Sequence, residues 1–207
     1  GFNGKSLILI GITLFIFQIA NFFSIDTITP ELERAQVLAA IASLIIILIG
    51  FLFKQFESLS GEKVDLKGDN IFLFDKKLPD DLIKEIAWGS EAILTSTAAA
   101  TVLIHNNGKN ILRRGITSSN EFQPGETCLR SIKDMKLISL ANTKFYPGRD
   151  EFFDFCPDIP SILIVPINHK AFILIGGWSS KCFTKSDEKW IKNWSKKINN
   201  IFLNNNI

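Results

Sequence analysis

From Ser6 to Ile25 the chain reads SLILIGITLFIFQIANFFSI, and from Ala35 to Phe53 it reads AQVLAAIASLIIILIGFLF; neither stretch holds a charge. A helix that spans a bilayer needs roughly 17 to 25 apolar residues, so both stretches are long enough. The polar connection IDTITPELER between them predicts a helical hairpin over residues 1–54, with helices at about 6–25 and 35–53. A cleaved signal peptide is the alternative for the first run, but that run exceeds the usual apolar core and no A-x-A-like site follows it. Core helices are the alternative for both; two long uncharged runs at one end of a chain argue against that. The connection carries only Arg34, whereas Lys5, Lys54, Lys63 and Lys67 flank the outer ends. Lys and Arg set orientation, so both termini and everything after residue 54 are expected on the cytoplasmic side.

Beyond the second run the pattern changes. Residues 55–78 are charged and read as a linker with one short strand or hairpin around Val64 to Phe74. Pro79-Asp80-Asp81 starts a helix, with proline in the first turn and acids near the positive end of the dipole. Leu82, Ile86 and Ile93 continue it at helical spacing to about residue 96. Apolar 98–105, Asn107-Gly108 and 110–116 predict a β-hairpin. Residues 118–125 are polar and turn-rich, 126–135 fit a short helix and 136–145 a strand. Residues 161–167 and 171–178 form a second hairpin around Asn168-His169-Lys170. Thr184-Lys185-Ser186-Asp187 matches a capping box, and Trp190, Ile191, Trp194, Ile198 and Ile201 mark the buried face of the last helix. Residues 204–207, Asn-rich, are expected to be a disordered tail. The segment 79–203 is thus an α+β domain, an antiparallel sheet of about five strands with its first and last helices on one face. It resembles the GAF and PAS class of regulatory domains, most closely from Val165-Pro166 through Gly176-Gly177 to Phe183 and the capped helix.

Chemistry is sparse. The formal net charge of +2 over 207 residues gives no nucleic-acid footprint. Cys128, Cys156 and Cys182 stand too far apart for a zinc, redox or haem-attachment motif and are expected to be reduced, buried thiols. His105 and His169 have no partner at ligand spacing, so no metal site is expected. No nucleophile elbow, Walker loop or dinucleotide fingerprint occurs. Asp150, Glu151, Asp154 and Asp158 cluster as a solvated acidic loop does. Arg113-Arg114 and Lys189, Lys192, Lys196 and Lys197 form basic groups that either are solvated or meet anionic lipid headgroups. Tyr146-Pro147-Gly148-Arg149 has the composition of a type II turn, with Gly148 at positive φ. Arg149 then either closes the loop on a carboxylate of the domain or is held out for a partner.

Two close membrane helices followed by a GAF-like domain with Leu140-Ala141-Asn142, Phe145-Tyr146-Pro147-Gly148-Arg149, Glu151-Phe152, Val165-Pro166 and Phe183-Thr184 resemble the "cofactor assembly of complex C" family of cyanobacteria and chloroplasts. The string from Leu140 to Phe152 is the most specific part of the resemblance. It implies an integral protein of the thylakoid or inner membrane that assists covalent attachment of the c-type haem to cytochrome b6 on the cytoplasmic or stromal side, during biogenesis of the cytochrome b6f complex. It also implies other haem-attachment factors, including a paralogue, as partners beside cytochrome b6 and the lipid bilayer, and no nucleic acid. Haem is then transient cargo, with no stably bound cofactor and no turnover chemistry. No catalytic residue set carries over, so Tyr146, Pro147, Gly148, Arg149, Glu151 and Phe152 are carried only as a candidate surface for a partner or haem. A membrane-tethered GAF-type sensor is the alternative; it predicts a closed apolar pocket between the sheet and the 118–158 connection. A structural component of a photosynthetic complex is a third class.

Overall fold

The two uncharged runs form helices α1 (Gly4–Phe23) and α2 (Pro30–Leu59). The structure, a computed structural model, describes residues 4–25, 27, 29–59 and 63–205. It divides into two units, Gly1–Ser60 and Gly61–Ile207.

In the first unit most large apolar side chains point outward, Phe17 and Leu38 among them, because two helices alone cannot cover one another. Both helices are long and apolar enough to cross a membrane. Their contact is built on small residues: a Cβ at Gly11 would sit 2.6 Å from Ile47 Cγ1 and 3.2 Å from the Ser43 carbonyl oxygen, so glycine is what lets the backbones approach. Thr13 and Ser24 return their hydroxyls to the carbonyls of Leu9 and Ala20, each at 2.8 Å, which satisfies them without water. Gln18 Nε2 donates to the Gln36 carbonyl across the pair. Helix α2 starts at Pro30, earlier than the uncharged run suggests. The Thr29 carbonyl accepts the Glu33 N–H at 3.0 Å, its hydroxyl accepts the Leu32 N–H at 3.3 Å, and Glu31 and Glu33 sit in the first turn. Negative charge is favourable there, at the positive end of the helix dipole. The helix also runs on through Leu59 into the stretch expected to be linker, while residues 60–62 of that stretch lie outside the described residues.

The second unit comprises β1 (Asp69–Phe74), α3 (Asp80–Ser96), β2 (Ala99–Asn106), β3 (Lys109–Thr117), α4 (Glu126–Asp134), β4 (Ile138–Leu140), β5 (Ser161–Asn168), β6 (Ala171–Gly177) and α5 (Lys185–Asn204). The strands form one antiparallel sheet in the order β1-β3-β2-β6-β5-β4, six strands rather than about five. The predicted strand over 136–145 shrinks to Ile138–Leu140, paired with Ile162–Ile164. Beyond it the Asn142 side chain accepts the Lys144 N–H at 3.0 Å and starts a 3-10 helix, Thr143–Phe145, in competition with the ladder.

Strand residues alternate between two buried faces. Val102, Ile104, Leu163, Val165, Ile173 and Ile175 meet α3 and α5, which bring Leu82, Ile86, Ile93, Ile191, Trp194 and Ile198. Leu103, Ile162, Ile164, Phe172 and Leu174 meet Phe122, Phe152, Phe155, Cys156 and Ile159 of the connection between β3 and β5. Both faces being covered, the central strands read as continuous apolar runs. The capping box of α5 forms, with Asp187 N–H to Thr184 Oγ1 at 3.2 Å and Thr184 N–H to Asp187 Oδ2 at 2.8 Å. Trp194 stacks so close to α3 that a Cβ on Gly89 would lie 2.2 Å from its ring. Its indole N–H donates to Glu85 at 3.1 Å. Trp190, assigned from the sequence to the buried stripe, is 37% exposed. It lies about 100° around the helix from Ile191, at the edge of the stripe, and stacks on Trp194 instead. The tail is shorter than expected: α5 includes Asn204, and Asn205 Nδ2 donates to Asp81 Oδ2 at 3.1 Å. Residues 206 and 207 lie outside the described residues.

Candidate functional site

The segment from Tyr146 to Phe152 is built against the start of α4. Helix N-termini leave N–H groups without intrahelical partners, and here the Glu151 carboxylate takes three of them. Oε1 accepts from Gly125 and Cys128, both at 3.0 Å, and Oε2 accepts from Thr127 at 2.9 Å. Gly125 makes room for it, since a Cβ there would lie 2.5 Å from Glu151 Cγ. The Tyr146 hydroxyl bonds Thr127 Oγ1 at 2.8 Å, a second tie to the same turn of helix.

Between these two ties the chain turns. Arg149 N–H donates to the Tyr146 carbonyl at 3.2 Å and Glu151 N–H to the Gly148 carbonyl at 3.2 Å, leading into a 3-10 helix, Arg149–Phe152. Gly148 has φ −89° and ψ 20°, so the turn is type I and not the type II expected from Pro-Gly. Helical dihedrals follow at once, and a bridge-region residue feeds into them directly. The glycine has a different use: a Cβ at Gly148 would lie 3.0 Å from the Tyr146 ring, which folds over the turn.

The six residues singled out from the sequence are thus brought together but do not share a surface. Pro147, Gly148 and Arg149 are exposed, Tyr146 and Glu151 are half-buried, and Phe152 is 1% exposed. Phe152 cannot face a partner, because it fills the layer beneath the sheet with Phe122 and Phe155. Arg149 closes nothing: its nearest carboxylate is its exposed neighbour Asp150, 3.7 Å from Nε. Two side chains missing from the sequence-based set stand out beside it, Phe145 at 80% exposure and Phe153 at 60%. Their signal was present as large apolar residues bracketing a turn, but nothing in the pattern says which phenylalanine of Phe152-Phe153 turns inward. An open groove of about 560 Å³ lies next to them, with Lys144, Arg149, Phe153, Cys156 and Asp158 in its lining. A second, of about 480 Å³, runs between Arg130, Tyr146, Pro147 and Glu151.

The remaining candidates are accounted for by packing. Asp154 accepts from Asn120 Nδ2 at 2.8 Å and so ties the loop rather than facing Glu151 as a catalytic pair. Arg114 pairs with Glu91, donates to the Ala87 carbonyl at 2.9 Å and lies 4.2 Å over the Phe72 ring. Arg113 donates to Thr117 Oγ1 at 3.2 Å and to the Ser118 carbonyl. His105 is buried, with Nδ1 2.9 Å from Asn110 Oδ1 and its ring stacked on Phe172; burial lowers its pKa. His169 is exposed, and its Nδ1 donates to the Ile132 carbonyl at 3.2 Å. All three cysteines are free and buried. Burial, aided by Asp158, pushes the Cys156 thiol up to about 11, and burial with the Glu151 carboxylate pushes Cys128 up as well, so neither is a ready nucleophile. Among the described residues no group of three His, Cys, Asp or Glu side chains is placed to hold a metal. The space where a ligand of a sensor domain would sit, between sheet and connection, is occupied by Phe122, Phe152, Phe155 and Phe172.

Comparison with known proteins agrees with this arrangement. Over 59% of this chain and 92% of its own, a type II free methionine-R-sulfoxide reductase from Thermoplasma acidophilum superimposes with a TM-score of 0.50 at 14% identity. The GAF domain region of a protein from Geobacter sulfurreducens PCA matches with a TM-score of 0.47 at 10% identity, over 58% of this chain and 91% of that one. Identities this low concern the fold and not the activity, and the fold is the GAF-like α+β sandwich. In sequence, the chloroplastic "cofactor assembly of complex C" protein CCB4 from Arabidopsis thaliana is 23% identical over 208 residues, 95% of this chain and 69% of that protein. The family described as cofactor assembly of complex C, CCB2/CCB4, matches residues 7–198, which takes in both apolar helices and nearly all of the domain, and the chain belongs to that family.

Proposed function

We propose that this chain is a membrane-anchored assembly factor that assists covalent attachment of the c-type haem to cytochrome b6, acting from the cytoplasmic or stromal side in biogenesis of the cytochrome b6f complex. In this reading α1 and α2 span the thylakoid or inner membrane, with both termini and the GAF-like domain on the side richer in flanking Lys. The observation that carries it is the turn at Pro147-Gly148-Arg149. It is clamped by Tyr146 and Glu151 and flanked by the exposed rings of Phe145 and Phe153, on a domain whose interior is filled. Aromatic and arginine side chains held rigidly in the open are what protein interfaces concentrate at their centres. An enzyme needs a reactive group and a sensor needs a cavity; the thiols here are held protonated and the aromatic layer leaves no room under the sheet.

The partners in this reading are cytochrome b6 and further haem-attachment factors, a paralogue among them. Haem is handled in passing, and the protein holds no cofactor of its own. A strain lacking this chain is expected to accumulate cytochrome b6 without covalently bound haem, seen as loss of its band on a haem-stained denaturing gel. A normal haem-stained band in that strain overturns the reading. Mass spectrometry of the purified complex is expected to find the chain well below one copy per complex; stoichiometric recovery points to a structural component instead.

A further inference from the structure

Helix α5 carries its lysines in an order that the core does not require. Lys185, Lys189, Lys192 and Lys196 follow one another at steps of four, three and four residues, which places them within roughly 60° of arc on the helix surface. All four are exposed, on the side of α5 opposite Ile191, Trp194 and Ile198.

The carboxylates near α5 are taken up elsewhere. Asp187 closes the capping box with Thr184. Glu188 holds Lys185 at 2.7 Å. On α3, Glu85 binds Lys197 at 2.6 Å and the Trp194 indole, Asp81 binds Asn205, and Glu91 binds Arg114. Strands β4 and β5 contribute no acid. Among the described residues Lys189, Lys192 and Lys196 have no ion-pair partner. Lys197, turned toward α3, is not part of the stripe.

We propose that this face of α5 docks on an anionic lipid surface, with the four ammonium groups meeting headgroup phosphates. The occupant follows from charge and from the chain itself. A straight row of mobile, unpaired ammonium groups suits a plane of diffusing negative charge, and it lacks the apolar centre that a specific protein contact needs. A domain joined covalently to a bilayer meets that surface at high effective concentration, so a weak attraction suffices. This inference rests on the reading that α1 and α2 span the membrane. Each lysine near an anionic surface contributes about fivefold, and three together shift the docking equilibrium on the order of 100-fold.

The test uses the full chain in nanodiscs of phosphatidylcholine alone or with phosphatidylglycerol, with amine acylation rates read lysine by lysine by mass spectrometry. In the anionic discs Lys189, Lys192 and Lys196 are expected to react about tenfold more slowly, while Lys109 in the β2–β3 turn keeps its rate. High salt should restore the stripe, as it does any screened surface attraction. In the variant Lys189→Gln/Lys192→Gln/Lys196→Gln, Lys185 is the reporter and should lose its protection. Equal rates in the two lipids, or a Lys185 still protected in the triple variant, overturn the proposal. Protection that arises in neutral discs only on adding a purified acidic protein overturns it in favour of protein docking. Failure of the chain to enter either disc overturns the membrane reading and this inference with it, and is told apart by gel filtration before any labelling.

Discussion

The two faces of the sheet are covered by different means. On one, α3 and α5 supply Leu82, Ile86, Ile93, Ile191, Trp194 and Ile198 at regular helical spacing, and aliphatic packing dominates. On the other, the connection from Ser118 to Pro160 has one nine-residue helix, two short 3-10 turns and a three-residue strand. There order comes from a few aromatic side chains, Phe122, Phe152 and Phe155, and from side chains that satisfy backbone groups far away in the sequence. The first face is redundant, since many similar contacts share the load. The second depends on single residues, and the same dependence lets it hold a turn out into solvent as a fixed shape.

The strongest test of this contrast removes one ring. Phe152→Ala is expected to destabilise the domain by about 3–5 kcal/mol, the loss for a buried phenylalanine including its cavity. Urea unfolding followed by tryptophan fluorescence would show this as a lower midpoint. Ile93→Ala on the helical face should cost no more than that and leave the turn at Pro147 intact, whereas Phe152→Ala should also speed amide exchange from Tyr146 to Phe153. If exchange there is unchanged, the connection is more redundant than its contacts indicate.

Next comes the carboxylate. Glu151→Ala strips the acceptor from Gly125, Thr127 and Cys128 N–H groups and is expected to cost about 2 kcal/mol, at the upper end for a helix cap. The amides of Thr127 and Cys128 should exchange faster. Asp154→Ala, which loses a single exposed bond to Asn120, should cost well under half as much. Equal losses for the two acids would erase the distinction between a clamp and a solvated loop.

A smaller effect belongs to His105, which lies in the same layer against Phe172. Its folded pKa is lowered by burial from the ordinary 6.5, so the unfolded chain takes up a proton first as the pH falls. Stability is therefore full above 6.5 and declines below it, by about 1 kcal/mol for the first pH unit. Melting temperatures of the protein and of His105→Gln should run parallel above 6.5, with the variant flatter between 6.5 and 5.5. A parallel decline in both would assign the pH dependence to carboxylates.

The contrast also explains what could be read from the sequence. Helix α5 announces itself by Thr184 and Asp187 and by Ile191, Trp194 and Ile198, because capping and periodicity are local properties. The hairpin of β2 and β3 follows from Asn107-Gly108 for the same reason, with Asn107 at φ 47° and Gly108 at φ 80°. The misreadings concentrate where the decision is not local. Trp190 fails at the edge of a stripe, and the strand over 136–145 fails because Asn142 caps a 3-10 turn instead. In the candidate site, the string Tyr146 to Phe152 pointed to the right place but not to the right roles. Glu151 looked like one of several loop acids, and only the fold brings it to Gly125 and Thr127, more than twenty residues earlier. Phe152 and Phe153 are identical letters with opposite fates.

Arg149→Ala is the smallest perturbation to the fold and the most telling for function. The guanidinium is exposed, and its contact to the exposed Asp150 at 3.7 Å is of the kind that contributes little to stability. The domain should therefore melt within about 0.5 kcal/mol of the parent, as surface substitutions do. If the turn is a docking element, complementation of the deletion strain by this variant should nonetheless fail, with the haem-stained cytochrome band absent. Phe145→Ser/Phe153→Ser should fail in the same way with an unaltered fold, because both rings point outward. Lys109→Ala, equally exposed on the β2–β3 turn, should complement fully. Full complementation by Arg149→Ala and by the double phenylalanine variant would leave Tyr146 and Glu151 as clamps around a turn that nothing uses, and would move the search for the partner face to another part of the domain.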